Sequence, residues 1–164
     1  MTTDINTHTK TDLLGIVQVT TPVSDLARSA AWYRDLLGLA YVREFVADGQ
    51  VTGNALADWG ARYVVALRLR STLAAPADLR GEHPVIVEAA SPEAAERVRQ
   101  RAAARGIRST SGVHADGSWT EYLDPDGIAV RVVHSVTAPR DFLGVEFRAG
   151  EEPAFYDVPR TVFS

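Results

Sequence analysis

The stretch VTTPVSDLARSAAWYRDLLGL, residues 19–39, contains the end of one strand, a complete helix and the start of the next strand. Ser24 or Asp25 supplies an N-cap, and Gly38 is a typical helix stop. Between them the apolar residues recur at helical spacing: Leu26, Ala30, Tyr33 and Leu37. The segments LAYVREFVA, VTGNALA and RYVVALRLR then have the β-branched and aromatic content of strands. The first half of the chain therefore predicts the order β-α-β-β-β.

The same order of elements recurs after the linker STLAAPADLRGE. HPVIVEA predicts a strand, and SPEAAERVRQRAAARG predicts a helix with Ser91 as N-cap, Pro92 at its first position and Gly106 beyond its end. IRSTS, SWTEYLD and GIAVRVV predict three further short strands, the last two joined by the turn at residues 124–127. Such an internal duplication predicts an α+β fold of two tandem βαβββ modules.

Composition limits the classes of function. The chain has 164 residues, 46% of them hydrophobic, and a formal net charge of −4. This charge argues against binding a nucleic-acid backbone, which usually needs a clustered basic face. The absence of cysteine excludes disulfides and thiolate chemistry. Because there is no apolar leader and no membrane-spanning apolar run, we expect a cytoplasmic protein without a membrane partner.

Three regions are expected along the chain. Residues 1–12 form a polar, flexible lead, and residues 13–134 form the duplicated domain, with modules at about 13–70 and 83–134. Residues 135–164 lack clear periodicity, so we interpret them as an extension that packs on the domain or on a partner subunit.

Two motifs at this separation resemble the vicinal oxygen chelate superfamily, which comprises glyoxalases, bleomycin-resistance proteins and extradiol dioxygenases. These motifs are residues 19–39 and YLDPDGIAV, residues 122–130. The resemblance implies that the two modules form a curved mixed sheet around a cleft and that the working unit is a homodimer. It also implies a divalent metal held by His, Gln or Glu from the first and last strands of each module.

The residues at those positions differ from the family pattern. Gln18 matches the first position, but its counterpart in the second module is Pro84, which has no ligating side chain. His83 is adjacent to Pro84, yet strand alternation turns it to the opposite face unless the register shifts. The two glutamate positions are Arg68 and Arg131, and a guanidinium cannot bind a divalent cation. We therefore expect no cofactor at the usual positions.

Strand alternation directs both arginines away from the helices. Val65, Leu67 and Leu69, like Ile128, Val130 and Val132, form the apolar set expected to pack on helices. Arg68 and Arg131 then lie on the concave face, where two interpretations remain open. The guanidinium groups bind the anion of a ligand, or each of them pairs with an internal carboxylate such as Glu88 or Glu121.

The segment GVHADGSWTEYLD contains a second set of candidates. His114 and Glu121 form an acid–base pair if both face the cleft, whereas the HADG sequence alone is explained by a turn. His114, Glu121 and Gln18 could together bind a divalent metal away from the usual positions, but no spacing rule supports such a site. Trp59 and Trp119 are candidates for a flat surface that receives a planar ligand.

Three functions follow. The first is a metal-independent protein that binds or sequesters a small anionic or aromatic molecule through Gln18, Arg68, Arg131, Trp59 and Trp119. The second is a superfamily enzyme, such as an isomerase, a lyase or a dioxygenase-like enzyme, that uses His114 with Glu121 or an atypical metal. The third is an interaction module with a vestigial cleft. The sequence does not identify the ligand, decide whether there is turnover, or show how modules pair in a dimer.

Overall fold

The computed structural model describes residues 16–60, 63–114, 117–135, 144–146, 148–151 and 154–156. The first module consists of β1 (Gln18–Val23), α1 (Leu26–Leu37), β2 (Ala40–Ala47), β3 (Gln50–Asp58) and β4 (Tyr63–Leu69). The second consists of β5 (Val85–Glu88), α2 (Pro92–Ala104), β6 (Ser109–His114), β7 (Gly117–Leu123) and β8 (Ala129–Ser135). Their sheets have the orders β1-β4-β3-β2 and β5-β8-β7-β6, with the first strand parallel to the last. The predicted α+β fold of two tandem βαβββ modules is confirmed.

Both helices begin and end where their capping residues predict. The Asp25 carboxylate accepts a hydrogen bond from the backbone N–H of Arg28, and Gly38 follows α1 in the left-handed conformation, with φ 73°. The Ser91 hydroxyl accepts from the backbone N–H of Ala94 at the start of α2, where Pro92 occupies the first turn. Local sequence therefore suffices to position the two helices.

One apolar core joins the modules. Buried side chains from both helices and both sheets form a single cluster: Val23, Ala30, Tyr33, Leu36, Leu39, Leu56, Val65, Leu67, Val85, Ala102, Tyr122, Val130 and Val132. Polar contacts cross the same boundary, since the Tyr33 hydroxyl bonds Asp124 Oδ2 at 3.2 Å and the Arg101 guanidinium donates to Leu36 O at 2.7 Å. The helix side of each sheet is thus filled.

Two features differ from the expectations. The extension contains two short antiparallel strands, β9 (Gly144–Glu146) and β10 (Ala154–Tyr156), which are too short to produce a periodic signal. Strand alternation along IVQVTT, residues 16–21, predicts that Val17 faces the helices with Val19, but Val17 precedes β1 and is 66% exposed. The predicted lead, residues 1–12, lies outside the described residues. Within the described part of the chain, no helix is long and apolar enough to cross a membrane.

Candidate ligand-binding site

Each module presents one arginine on the sheet face that points away from the helices. Val65 and Leu67 of β4 are buried in the core, which turns Arg68 to the opposite face. In β8, Val130 and Val132 are buried and Arg131 lies between them. We call these surfaces the arginine faces: the sheet face that carries Arg68 in the first module and the one that carries Arg131 in the second. The alternation predicted from sequence is confirmed for both strands.

Arg131 is held by an internal carboxylate. It lies directly across from Glu121 of β7, and its Nη2 is 2.7 Å from Glu121 Oε2. Its guanidinium carbon also lies 4.7 Å from the ring centroid of Trp119. The two charged side chains are only 26% and 21% exposed. Of the two interpretations left open by the sequence, pairing with a carboxylate is correct for Arg131, and the partner is Glu121 rather than Glu88.

His83 completes this cluster, contrary to expectation. Its Nε2 lies 2.7 Å from Glu121 Oε2 and 2.8 Å from Arg131 Nη2. The prediction that it needs a register shift or bulge to reach this face is wrong, because it precedes Val85, the first residue of β5. Strand alternation does not govern a residue outside the strand. We call the three side chains His83, Glu121 and Arg131 the His–Glu–Arg cluster.

The charges of this cluster do not suit a divalent metal. The hydrogen bond from Arg131 is the main cause that lowers the pKa of Glu121, and His83 lowers it further, against the opposing effect of burial. A carboxylate and an imidazole are good ligands, but the permanently charged guanidinium already lies within hydrogen-bond distance of both. Among the described residues, no three His, Cys, Asp or Glu side chains are grouped as a metal site.

Arg68 has a different environment. Its guanidinium carbon lies 5.4 Å from the ring centroid of Phe45, and its Nε is shielded from solvent without a hydrogen-bond partner. Its aliphatic part lies against Gly53, where an added Cβ would stand 2.8 Å from Arg68 Cδ. No carboxylate among the described residues forms an ion pair with it. Arg68 is therefore a positive charge packed on an aromatic ring, with no internal ion pair in the part of the chain that the structure describes.

The second module repeats this stack with the strands exchanged. In the first module Phe45 on β2 pairs with Gly53 on β3, whereas in the second Gly112 on β6 pairs with Trp119 on β7. A Cβ on Gly112 would stand 2.7 Å from Cζ2 of the indole, so the ring lies flat on the glycine. In each module an aromatic ring covers a glycine and an arginine covers the ring.

A groove runs along the first strands of the two modules. It has a volume of about 570 Å³ and is lined by Ile16, Val17, Gln18, Val19, Tyr63, Val64, His83, Pro84, Val85, Ile86, Val87 and Glu88. Gln18 therefore lies in the same groove as His83, and its side-chain amide donates to the Thr20 hydroxyl at 3.2 Å. The lining does not include Arg68 or Arg131, so the predicted ligand-binding residues are not gathered in one cavity.

Two sequence candidates remain, Trp59 and His114. Trp59 follows β3 and is 63% exposed. His114 is the last residue of β6, and its side chain lies outside the described part of the structure, as does Asp116. Its predicted pairing with Glu121 stays a prediction. His83 was missed as a partner of Glu121, and only its position beside Pro84 signalled it in the sequence.

Strand register shows that the two arginines are not equivalent. Pro22, four residues after Gln18, pairs with Arg68, whereas Ile86, two residues after Pro84, pairs with Arg131. The alignment of the modules predicted from sequence matches Gln18 with Pro84 and also Arg68 with Arg131. The strand register allows only one of these two matches. Relative to the first strand, Arg68 lies two residues further along, roughly 7 Å at about 3.3 Å per residue.

Two tandem βαβββ modules with charged groups on the faces away from their helices define a known class of two-module α+β proteins. The chain belongs to the Glyoxalase/Bleomycin resistance protein/Dioxygenase superfamily, whose family model matches residues 15–132. The resemblance drawn from the two sequence motifs is confirmed. No curated protein matches the chain.

Solved structures with the same fold have varied names. TnmS3, an antibiotic-binding protein from Streptomyces sp. CB03234, has a TM-score of 0.61 and 17% identity, covering 77% of this chain and 99% of its own. The lactoylglutathione lyase from Agrobacterium tumefaciens has a TM-score of 0.61 and 20% identity, covering 76% and 96%. A glyoxylase/bleomycin resistance protein/dioxygenase domain from Frankia sp. EAN1pec has a TM-score of 0.62 and 20% identity, and the match covers 75% of this chain and 93% of that domain. Identities this low show the fold alone.

Proposed function

We propose that this protein binds a small organic anion, of aromatic character, on the arginine face of the first module and sequesters it without a metal. The observation that carries the proposal is Arg68, whose shielded Nε has no hydrogen-bond partner among the described residues. A guanidinium with no carboxylate partner among the described residues can be neutralised by the carboxylate or phenolate of a ligand, which accepts forked hydrogen bonds from it. Phe45, which packs against the guanidinium, adds an apolar contact beside the charge.

Arg131 supports metal independence rather than direct binding. Its guanidinium lies within hydrogen-bond distance of both His83 and Glu121, the two side chains of that cluster best suited to ligate a cation. Because an arginine stays protonated, a cation placed there would have to displace it against charge repulsion. Trp119 and Gln18 remain proposed contacts of the ligand. Trp59, which is exposed, is also proposed to contact it.

The structural neighbours include both an antibiotic-binding protein and a lyase, so the similarity does not distinguish binding from catalysis. An enzyme is the second candidate, and the contact between His83 and Glu121 is the observation that favours it. We also propose that the protein acts as a cytoplasmic homodimer. Light scattering on the purified protein would test the dimer.

The test is thermal unfolding with benzoate, salicylate and 4-hydroxybenzoate, with uncharged benzamide as the matched control. A ligand at about 100 times its Kd stabilises the folded state by about 2.7 kcal/mol, or roughly 5–11 °C for a chain of this size. We expect Arg68→Gln to abolish the shift and Arg34→Gln, an exposed arginine of α1, to retain it. Equal shifts with benzamide, no shift with any acid, or a full shift in Arg68→Gln would refute the proposal.

Metal independence has its own measurement. We expect purified protein to contain no stoichiometric divalent metal by mass spectrometry and a chelator to leave its melting temperature unchanged. One bound ion per chain, with a melting temperature that falls on chelation, would refute metal independence.

A further inference from the structure

The His–Glu–Arg cluster has a geometry that decides which nitrogen of His83 carries the proton. His83 Nε2, Glu121 Oε2 and Arg131 Nη2 lie 2.7 to 2.8 Å from one another. An imidazole nitrogen has a single in-plane position, so Nε2 either donates a hydrogen bond to Glu121 or accepts one from Arg131. It does not do both.

The carboxylate decides between these states. Glu121 is ionised at neutral pH because the neighbouring Arg131 lowers its pKa, and an ionised carboxylate only accepts hydrogen bonds. A lone pair on Nε2 would therefore face a negatively charged oxygen at 2.7 Å. With the proton on Nε2, both His83 and Arg131 donate to the same oxygen, and their 2.8 Å separation follows from sharing it. The favoured neutral form is the Nε2–H tautomer.

The other ring nitrogen then carries the lone pair. His83 Nδ1 makes no hydrogen bond to any residue that the structure describes, and the side chain is 34% exposed. His83 also lines the groove shared with Gln18 and Ile86. The charged groups around the ring are Glu121 from β7 and Arg131 from β8, with Glu88 of β5 further along the groove. A basic nitrogen is thus available beside a space large enough for a small molecule.

We propose that His83 is the proton acceptor of this groove and takes the proton of an acidic hydroxyl group, a phenol or enol, on the bound molecule. The O–H bond breaks, an N–H bond forms at Nδ1, and nothing is oxidised or reduced. The resulting imidazolium donates to Glu121 through Nε2–H, and the Glu121 carboxylate offsets its repulsion with Arg131. The ligand is left as an anion beside a new positive charge. Glu121 acts as a positioning residue. This role goes beyond the proposed function, because His83 lines a groove whose lining does not include Arg68.

The first test needs no ligand. Nitrogen-15 NMR of the imidazole distinguishes the two neutral tautomers, and we expect Nε2–H for His83 in the wild-type protein. In Glu121→Gln the imidazole loses its ionised partner, and we expect a smaller population of the Nε2–H tautomer. His134, whose Nδ1 lies 3.3 Å from Ala89 O, serves as an internal control and should not change. An Nδ1–H tautomer at His83 in the wild-type protein, or the same tautomer population in Glu121→Gln, would overturn the proposal.

The second test uses 4-nitrophenol, whose neutral and ionised forms absorb at different wavelengths. We expect the wild-type protein to bind it as phenolate and His83→Gln to bind it with a smaller ionised fraction at the same pH. Binding with an identical ionised fraction in both proteins would refute the role of His83 and leave the proposed function intact. Failure of the wild-type protein to bind any acid would refute the proposed function, while the tautomer measurement would still decide the geometry.

Discussion

Glu121→Gln removes one negative charge from the centre of the His–Glu–Arg cluster and keeps the side chain's size. In the wild-type protein Glu121 accepts hydrogen bonds of 2.7 Å from both Arg131 and His83. Hydrogen bonds to a charged group contribute about 1.5–3 kcal/mol and neutral ones about 0.5–1.5 kcal/mol, so each bond should weaken by about 1 kcal/mol. The expected loss is about 2 kcal/mol of unfolding free energy, or roughly 4–8 °C in Tm.

The assay is urea and thermal unfolding at neutral pH, with Glu96→Gln as the matched control. Glu96 forms a comparably short ion pair with Arg99, 2.6 Å long, but the side chains are 41% and 55% exposed. Exposed pairs are screened by solvent, so this control should lose much less stability than Glu121→Gln. If both variants lose the same small amount, the cluster is no stronger than a surface ion pair and the reasoning fails.

The pH dependence gives a second readout of the same charge. Because the pKa of Glu121 is lowered in the folded state, its contribution is complete above the unfolded value of about 4.3 and disappears as the pH falls through the folded value. The stability difference between wild type and Glu121→Gln should therefore shrink on acidification. A difference that stays constant down to strongly acidic pH would contradict this assignment.

Three further predictions concern the rest of the fold. Tyr33→Phe should cost about 1 kcal/mol in urea unfolding because it removes the buried bond to Asp124, and a neutral result would contradict this. Burial raises the pKa of Asp124, so the folded state favours the protonated carboxyl group. In urea unfolding, the wild-type protein should therefore lose stability relative to Asp124→Asn as the pH rises from about 4 toward neutral. A gain in relative stability over that range would refute the prediction. Gly53→Ala should cost about 1–3 kcal/mol because its Cβ would stand 2.5 Å from Leu67 O and 2.8 Å from Arg68 Cδ, and unchanged stability would show that the strands separate easily.

Features encoded over a few neighbouring residues were predictable. The caps at Asp25 and Ser91 and the helix end at Gly38 depend on local hydrogen bonding and on the freedom of glycine, and the structure confirms all three. The face of Arg68 and of Arg131 followed from strand alternation, which is a property of the backbone. The duplication was visible because both modules repeat these same local patterns.

Positions that depend on how strands align with one another were not predictable. The sequence offered Glu88 and Glu121 as partners of an arginine, and cross-strand register selects Glu121 for Arg131. The sequence did not show that Arg68 lies two residues further along the first strand than Arg131 does, because register is a property of a pair of strands and not of either strand alone.

The sequence by itself determined the two βαβββ modules, the ends of both helices and the outward direction of both arginines, since each of these depends on local spacing. Only the tertiary structure decided that His83 meets Glu121 and Arg131, while Arg68 lies over Phe45 without a carboxylate partner among the described residues. His83 lies 38 residues from Glu121 in the chain, and no periodic pattern relates residues so far apart. Their contact exists because β5 and β7 pair with the same strand, β8.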